Sequence, residues 1–136
     1  MGLDTRAKGM TYDMGYHCGY ITYRTFIAEV IEKAYGKRCR DIFLNDVMYG
    51  VKATEDDAEY WNGVCNADLD ILIFHSDYNG KFTPNECKRI YKALEPLHSD
   101  MIGHNNYGTI ETYNVFDHWK AIFKYCADRR VNLYYR

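Results

Sequence analysis

The spacing of apolar positions changes several times along this chain, and each change delimits an element. Between Thr22 and Tyr35, the residues Tyr23, Phe26, Ile27, Val30, Ile31 and Ala34 recur at helical spacing. Arg24, Glu29, Glu32 and Lys33 take the opposite face, and Gly36 supplies a stop. From Asn114 to Arg129, Val115, Phe116, Trp119, Ile122, Phe123 and Cys126 form a continuous apolar stripe, with His118, Lys120, Lys124 and Asp128 outside it. That spacing predicts a last helix, with Arg129 and Arg130 suited to the negative end of its dipole. Val131 to Tyr135 then alternates as a final strand.

The central stretch, Leu69 to Leu97, reads as strand, loop and helix. Leu69, Ile71, Leu72, Ile73 and Phe74 are a short, nearly continuous apolar run rich in β-branched residues, which predicts a strand buried on both faces. The final strand would pair beside it, near the N-terminal segment. Polarity switches at His75-Ser76-Asp77-Tyr78-Asn79-Gly80, where Asn-Gly is a turn signal. Thr83 suits an N-cap, Pro84 the first helical position and Glu86 the third. The helix should run from Pro84 to about Leu94, bury Cys87, Ile90, Tyr91 and Leu94, and end before Pro96.

Elsewhere the pattern is weaker. Residues 1–19 are Gly-rich, with room for one short strand. Lys37-Arg38-Cys39-Arg40 is either a solvated helix exit or an anion-holding cluster. Asp41 to Val51, with Ile42-Phe43-Leu44 and Val47-Met48-Tyr49, predicts a short helix. Thr54 with Asp57 forms a capping box for a helix to about Asn66, which would bury Ala58, Trp61 and Val64 or Cys65. The sum is an α+β single domain, about four helices on a sheet of two or three strands.

Composition narrows the class. The 136 residues suffice for one ordinary domain with a real core. A net charge of −2 gives no general attraction to nucleic acid or anionic membrane, and no apolar run reaches membrane-span length. The N-terminus lacks the apolar core of a signal peptide, and Arg6 stands where a myristoylation signal wants Ser or Thr. Five scattered cysteines without a C-x-x-C pair read as reduced thiols in a cytoplasm rather than a disulfide framework or a zinc ribbon. Fourteen tyrosines, many in polar contexts, point to an aromatic recognition surface beside the core.

The central loop carries the candidate chemistry. Aligned on Gly80, His75 to Glu86 follows the twelve-residue calcium loop of EF-hands: Asp77 at position three, Asn79 at five, Gly80 at six, Phe82 at eight, Thr83 at nine and Glu86 at twelve. Position one departs, being His75 rather than a carboxylate, and the predicted strand stands where an EF-hand has a helix. His75, Asp77, Asn79 and Glu86 are therefore the candidate ligands of one divalent cation, calcium, magnesium or zinc, against the alternative of a capped turn. His98, Asp100 and His104 form a second His-Ser-Asp cluster, read as loop in preference to a metal site. Asp4, His17, Tyr20 and Tyr78 are further binding candidates. There is no G-x-S-x-G, P-loop, H-E-x-x-H or dinucleotide fingerprint.

The opening Met1-Gly2-Leu3-Asp4, the His17 and Tyr20 segment and the His75-Ser76-Asp77-Tyr78-Asn79-Gly80 turn resemble a group of small bacterial and bacteriophage proteins of unknown function. Those proteins carry His-Ser-Asp-Cys-Asp-Gly at the turn, so Tyr78 and Asn79 depart from them and one carboxylate is lost. The resemblance implies a bacterial or phage origin, a cytoplasmic setting and no particular mechanism. Two functions follow as expectations. One is an accessory protein that binds a protein or nucleotide-type partner, such as a component of host defence. The other is a metal-dependent phosphoester hydrolase using His75 and Asp77, with Asp4 and His17 as further ligands.

Overall fold

A computed structural model describes residues 2–11, 15, 17–104 and 112–136, without the side chain of His17. Tyr16, the Asn105-Asn106 pair and the side chain of His17 therefore lie outside the described residues. The elements in order are β1 (Leu3–Arg6), β2 (His17–Cys18), α1 (Tyr20–Tyr35), α2 (Lys37–Tyr49), α3 (Glu55–Val64), α4 (Ala67–Ile73), β3 (Gly80–Phe82), α5 (Pro84–Leu94), β4 (Ile102–His104), β5 (Thr112–Asn114), α6 (Val115–Arg129) and β6 (Leu133–Tyr135). The class is α+β, with six helices among the described residues where about four were expected.

The main sheet is antiparallel. Strand β6 lies between β1 and β3, and the two-residue β2 extends the β1 edge. Alternation decides its buried face: Leu3 and Thr5 on β1, Leu133 and Tyr135 on β6, and Phe82 on β3 all point inward. A separate hairpin, β4 with β5, leads into α6. The final strand thus pairs with β1, as expected, and with β3 in place of the strand predicted at Leu69–Phe74.

That segment is instead helix α4, and the reason is local. Asn66 is its N-cap, its side chain accepting from the N–H groups of Asp68 and Leu69 at 2.8 and 3.3 Å. Leu69, Leu72 and Ile73 then fall on one buried face, while Ile71 is only half-buried. The Tyr35 hydroxyl fixes the start of the helix, accepting from the Asn66 N–H at 3.0 Å and lying 2.8 Å from the Asp70 carboxylate. Burial is the main cause that pushes the Tyr35 phenol above its ordinary pKa, so it remains a hydroxyl.

Helices α1, α5 and α6 cover the sheet with an aromatic core. Phe26 stacks on Trp119 at 5.3 Å and meets Phe116 edge-on at 5.3 Å. The Tyr23 and Tyr135 hydroxyls share a hydrogen bond of 2.9 Å inside this core, and burial pushes both phenols upward. Phe82 brings β3 edge-on against Phe123 of α6 at 5.5 Å. Lys120, assigned to the outer face of α6 by spacing, ties that helix to the end of α5. Its ammonium donates to the carbonyls of Glu95 and Leu97.

Helices α2 and α3 join this core through one buried residue each, Cys39 and Trp61, with Ile42 and Phe43 half-buried against it and Trp61 edge-on to Tyr35 at 5.2 Å. A single residue, Gly36 at φ 98°, both ends α1 and starts α2, a backbone conformation that a side chain would strain. The basic cluster Lys37-Arg38-Cys39-Arg40 is the first turn of α2, where the helix dipole opposes it. Acidic neighbours compensate: Arg40 pairs with Glu32 and Asp41 at 3.0 Å, and Arg38 with Asp57 at 3.4 Å. Thr54 and Asp57 make the predicted capping box of α3. Of the residues expected to be buried there, Trp61 is, Cys65 is half-buried, and Ala58 and Val64 are exposed. Among the described residues no helix is long and apolar enough to cross a membrane.

Candidate functional site

The loop between α4 and α5 gathers most of the predicted site residues. Helix α4 ends at Ile73 with Phe74 as its C-cap, and Ser76 then folds the chain back. Its hydroxyl accepts from the N–H groups of Tyr78 and Asn79 at 3.3 and 3.4 Å, which closes a local turn. Gly80 takes φ 98° and starts β3, which pairs Lys81 with Tyr134 and Phe82 with Leu133. Thr83 caps α5 by accepting from the Glu86 N–H at 3.2 Å, while the Glu86 carboxylate accepts from the Thr83 N–H at 2.9 Å. Helix, loop, short strand and helix follow in the order an EF-hand uses, so the objection raised by a predicted strand before the loop is removed.

The side chains are committed to other partners. His75 Nδ1 lies 2.8 Å from the carbonyl oxygen of Ser76, and Nε2 lies 3.1 Å from that of Lys81. Its ring stacks on Phe82 at 3.9 Å and meets Tyr135 edge-on at 5.1 Å. Asp77 accepts from Arg24 Nε of α1 at 3.0 Å. Asn79 is exposed at the tip of the loop, and Tyr78 is 59 % exposed beside it. Among the described residues no three His, Cys, Asp or Glu side chains converge as a cation site.

The other candidates divide by position. Asp4 on β1 stands directly opposite His17 on β2, at the edge of the sheet away from β3. Strand β6 therefore separates Asp4 from the strand that follows the loop. Tyr20 opens α1, one helical turn before Arg24, so the Arg24–Asp77 pair ties the loop to the start of α1. His98, Asp100 and His104 are all exposed. The described cysteines are free thiols. Buried Cys87 on α5 and Cys126 on α6 interact, and their mutual hydrogen bond, followed by burial, pushes the Cys87 thiol upward.

Sequence reasoning missed Arg24. Helical spacing placed it on an outer face, and nothing local marks a partner 53 residues away. It also missed the exposure of the α2–α3 arm. Cys39 is the buried residue of α2, and Trp61 that of α3. Met48, Tyr49, Val51, Tyr60 and Val64 are exposed, Tyr49 at 76 %. A groove lies alongside, lined by Arg38, Asp41, Ile42, Asn45, Lys52 and Asp57. One signal was available: Val47, Met48 and Tyr49 are consecutive apolar residues at the end of a polar helix, more than one buried stripe can use.

No family model, no curated protein and no solved structure matches this chain.

Proposed function

We propose that this protein is a binding module that docks a protein partner on its α2–α3 arm. The observation that carries this reading is the exposure of Met48 and Tyr49 at the end of α2, Val51 just after it, and Tyr60 and Val64 on α3, two helices with one buried residue each. Apolar side chains clustered on a surface element mark contact sites, because water leaves them on association. Tyrosine suits this use, offering a broad apolar ring with a polar tip and few rotamers to freeze. The arm is also pre-shaped. Arg38 reaches Asp57 at 3.4 Å and lies over the Tyr60 ring at 4.3 Å, holding α2 to α3. The groove beside it mixes charges of both signs, which suits a protein surface better than a polyanion. The net charge of −2 fits the same preference.

The setting we propose is the one the family resemblance implies, a bacterial or phage-infected cell, with a component of host defence as one such partner. The phosphoester-hydrolase alternative rests on His75 and Asp77, whose polar atoms are engaged with Ser76, Lys81 and Arg24.

The test is partner retention from bacterial lysate by immobilised protein, compared across variants with matched unfolding midpoints. Met48→Ser with Tyr49→Ser should lower retention by at least about tenfold, which corresponds to about 1.4 kcal/mol. Tyr78→Ser, on the other exposed loop, should leave it intact. Retention unchanged by the arm variant, or lost with Tyr78→Ser alone, would sink the docking assignment.

A further inference from the structure

We infer that the 75–86 loop is a calcium loop of EF-hand type closed by its own first residue: the His75 ring takes the place of a ligand and blocks a second one. Position one of such a loop supplies a side-chain oxygen and position seven a backbone carbonyl, both aimed at the ion. Here position one is His75, and position seven is Lys81. With a proton on Nε2, the imidazole donates to the Lys81 carbonyl oxygen at 3.1 Å, so one side chain occupies position one and covers position seven. The ring lies tight against the turn. A Cβ added at Gly80 would stand 3.1 Å from His75 Cε1. Phe82, the apolar position eight, stacks on its face at 3.9 Å.

The remaining ligand positions keep the oxygen chemistry a hard cation needs. Asp77 at three, Asn79 at five, Thr83 at nine and Glu86 at twelve are all oxygen-bearing. Three of them have partners within the chain, Asp77, Thr83 and Glu86. The Arg24 guanidinium supplies the positive charge at Asp77, 3.0 Å away. Glu86 accepts from the Thr83 N–H. Helix α4 precedes the loop, Gly80 turns at φ 98° at position six, and β3 pairs with β6. The sequence departs from a calcium loop at one side chain, and the structure places the block at that same side chain.

The experiment is a calorimetric calcium titration of the full chain, wild type against His75→Asp. The wild type should give no binding heat to millimolar calcium. His75→Asp should bind one calcium ion with a Kd on the order of 10⁻⁴ M, as befits three carboxylates in a semi-rigid loop. Adding Arg24→Gln should tighten binding further, because the guanidinium no longer competes for Asp77. Adding Asp77→Asn to His75→Asp should abolish it. If His75→Asp is poorly folded without metal, calcium should restore its near-ultraviolet circular dichroism. Calcium binding by the wild type with affinity equal to that of His75→Asp would overturn the inference. So would a folded His75→Asp that stays silent, or an unfolded one that calcium does not rescue.

Discussion

Helices α3 and α5 begin in the same way and end in different circumstances. Each opens with a threonine N-cap and a reciprocal carboxylate three residues on, Thr54 with Asp57 and Thr83 with Glu86. Helix α5 then buries Cys87, Ile90 and Leu94 against the body of the protein. Helix α3 buries Trp61 and exposes most of the rest. A capping box satisfies the free N–H groups at a helix start and so fixes where the helix begins. It does not decide whether the helix is packed. Most helical stability in a protein comes from a buried apolar face, so α5 belongs to the stable body and α3 to a surface arm.

Core truncation should separate the two regions most sharply. Phe26→Ala removes a ring that stacks on Trp119 and meets Phe116, and should cost about 3–5 kcal/mol in urea unfolding. Tyr49→Ala, on the arm at 76 % exposure, should stay within about 0.5 kcal/mol of wild type. A large global loss from Tyr49→Ala would mean that the arm is part of the body after all.

The same contrast governs what could be read in advance. Helices α1, α5 and α6 were legible because their apolar residues recur on one face and their ends carry recognisable signals. The caps of α3 and α5 were legible because they are local, spanning three residues. Helix α4 was not. Seven residues containing Leu69, Ile71, Leu72 and Ile73 give too short a window to distinguish a helical stripe from a buried strand. The Asn66 cap was the clue available. At the site, the motif from His75 to Glu86 was visible, because loop chemistry is written at fixed offsets. What its side chains hold was not. The Lys81 carbonyl comes within reach of His75 only when Gly80 turns, and Arg24 reaches Asp77 only after α1 packs nearby.

Removing the two caps should sharpen the comparison at a smaller scale. Thr83→Ala and Thr54→Ala each delete one side-chain acceptor, worth about 1 kcal/mol to its own helix. For α5 that loss should appear in full as a lower global stability, since α5 unfolds with the body. For α3 it should appear mainly as faster amide exchange within residues 55–64, with a smaller movement of the global midpoint. Equal midpoint shifts for both variants would show that body and arm unfold as one unit.

The smallest expected effect is a pH dependence confined to the arm. The Asp57 carboxyl is held below its ordinary range, first by the Thr54 backbone N–H, then by the Thr54 hydroxyl and Arg38. A depressed pKa in the folded state means that the unfolded segment binds the proton more tightly. The contribution is therefore fully present above the ordinary aspartate pKa of about 4, and is lost as pH falls through the lower folded value. Amide exchange in α3, corrected for its intrinsic pH dependence, should then show weaker protection as acid is added below about pH 4. Other carboxylates titrate in the same window, so the informative quantity is the difference from Asp57→Asn. That variant cannot lose the charge, and its α3 protection should start lower and change less. Added salt should shrink only the part due to Arg38, because the hydrogen bond from Thr54 is short-ranged and little screened. A pH response identical in the two proteins would remove Asp57 as the arm's acid-sensitive group.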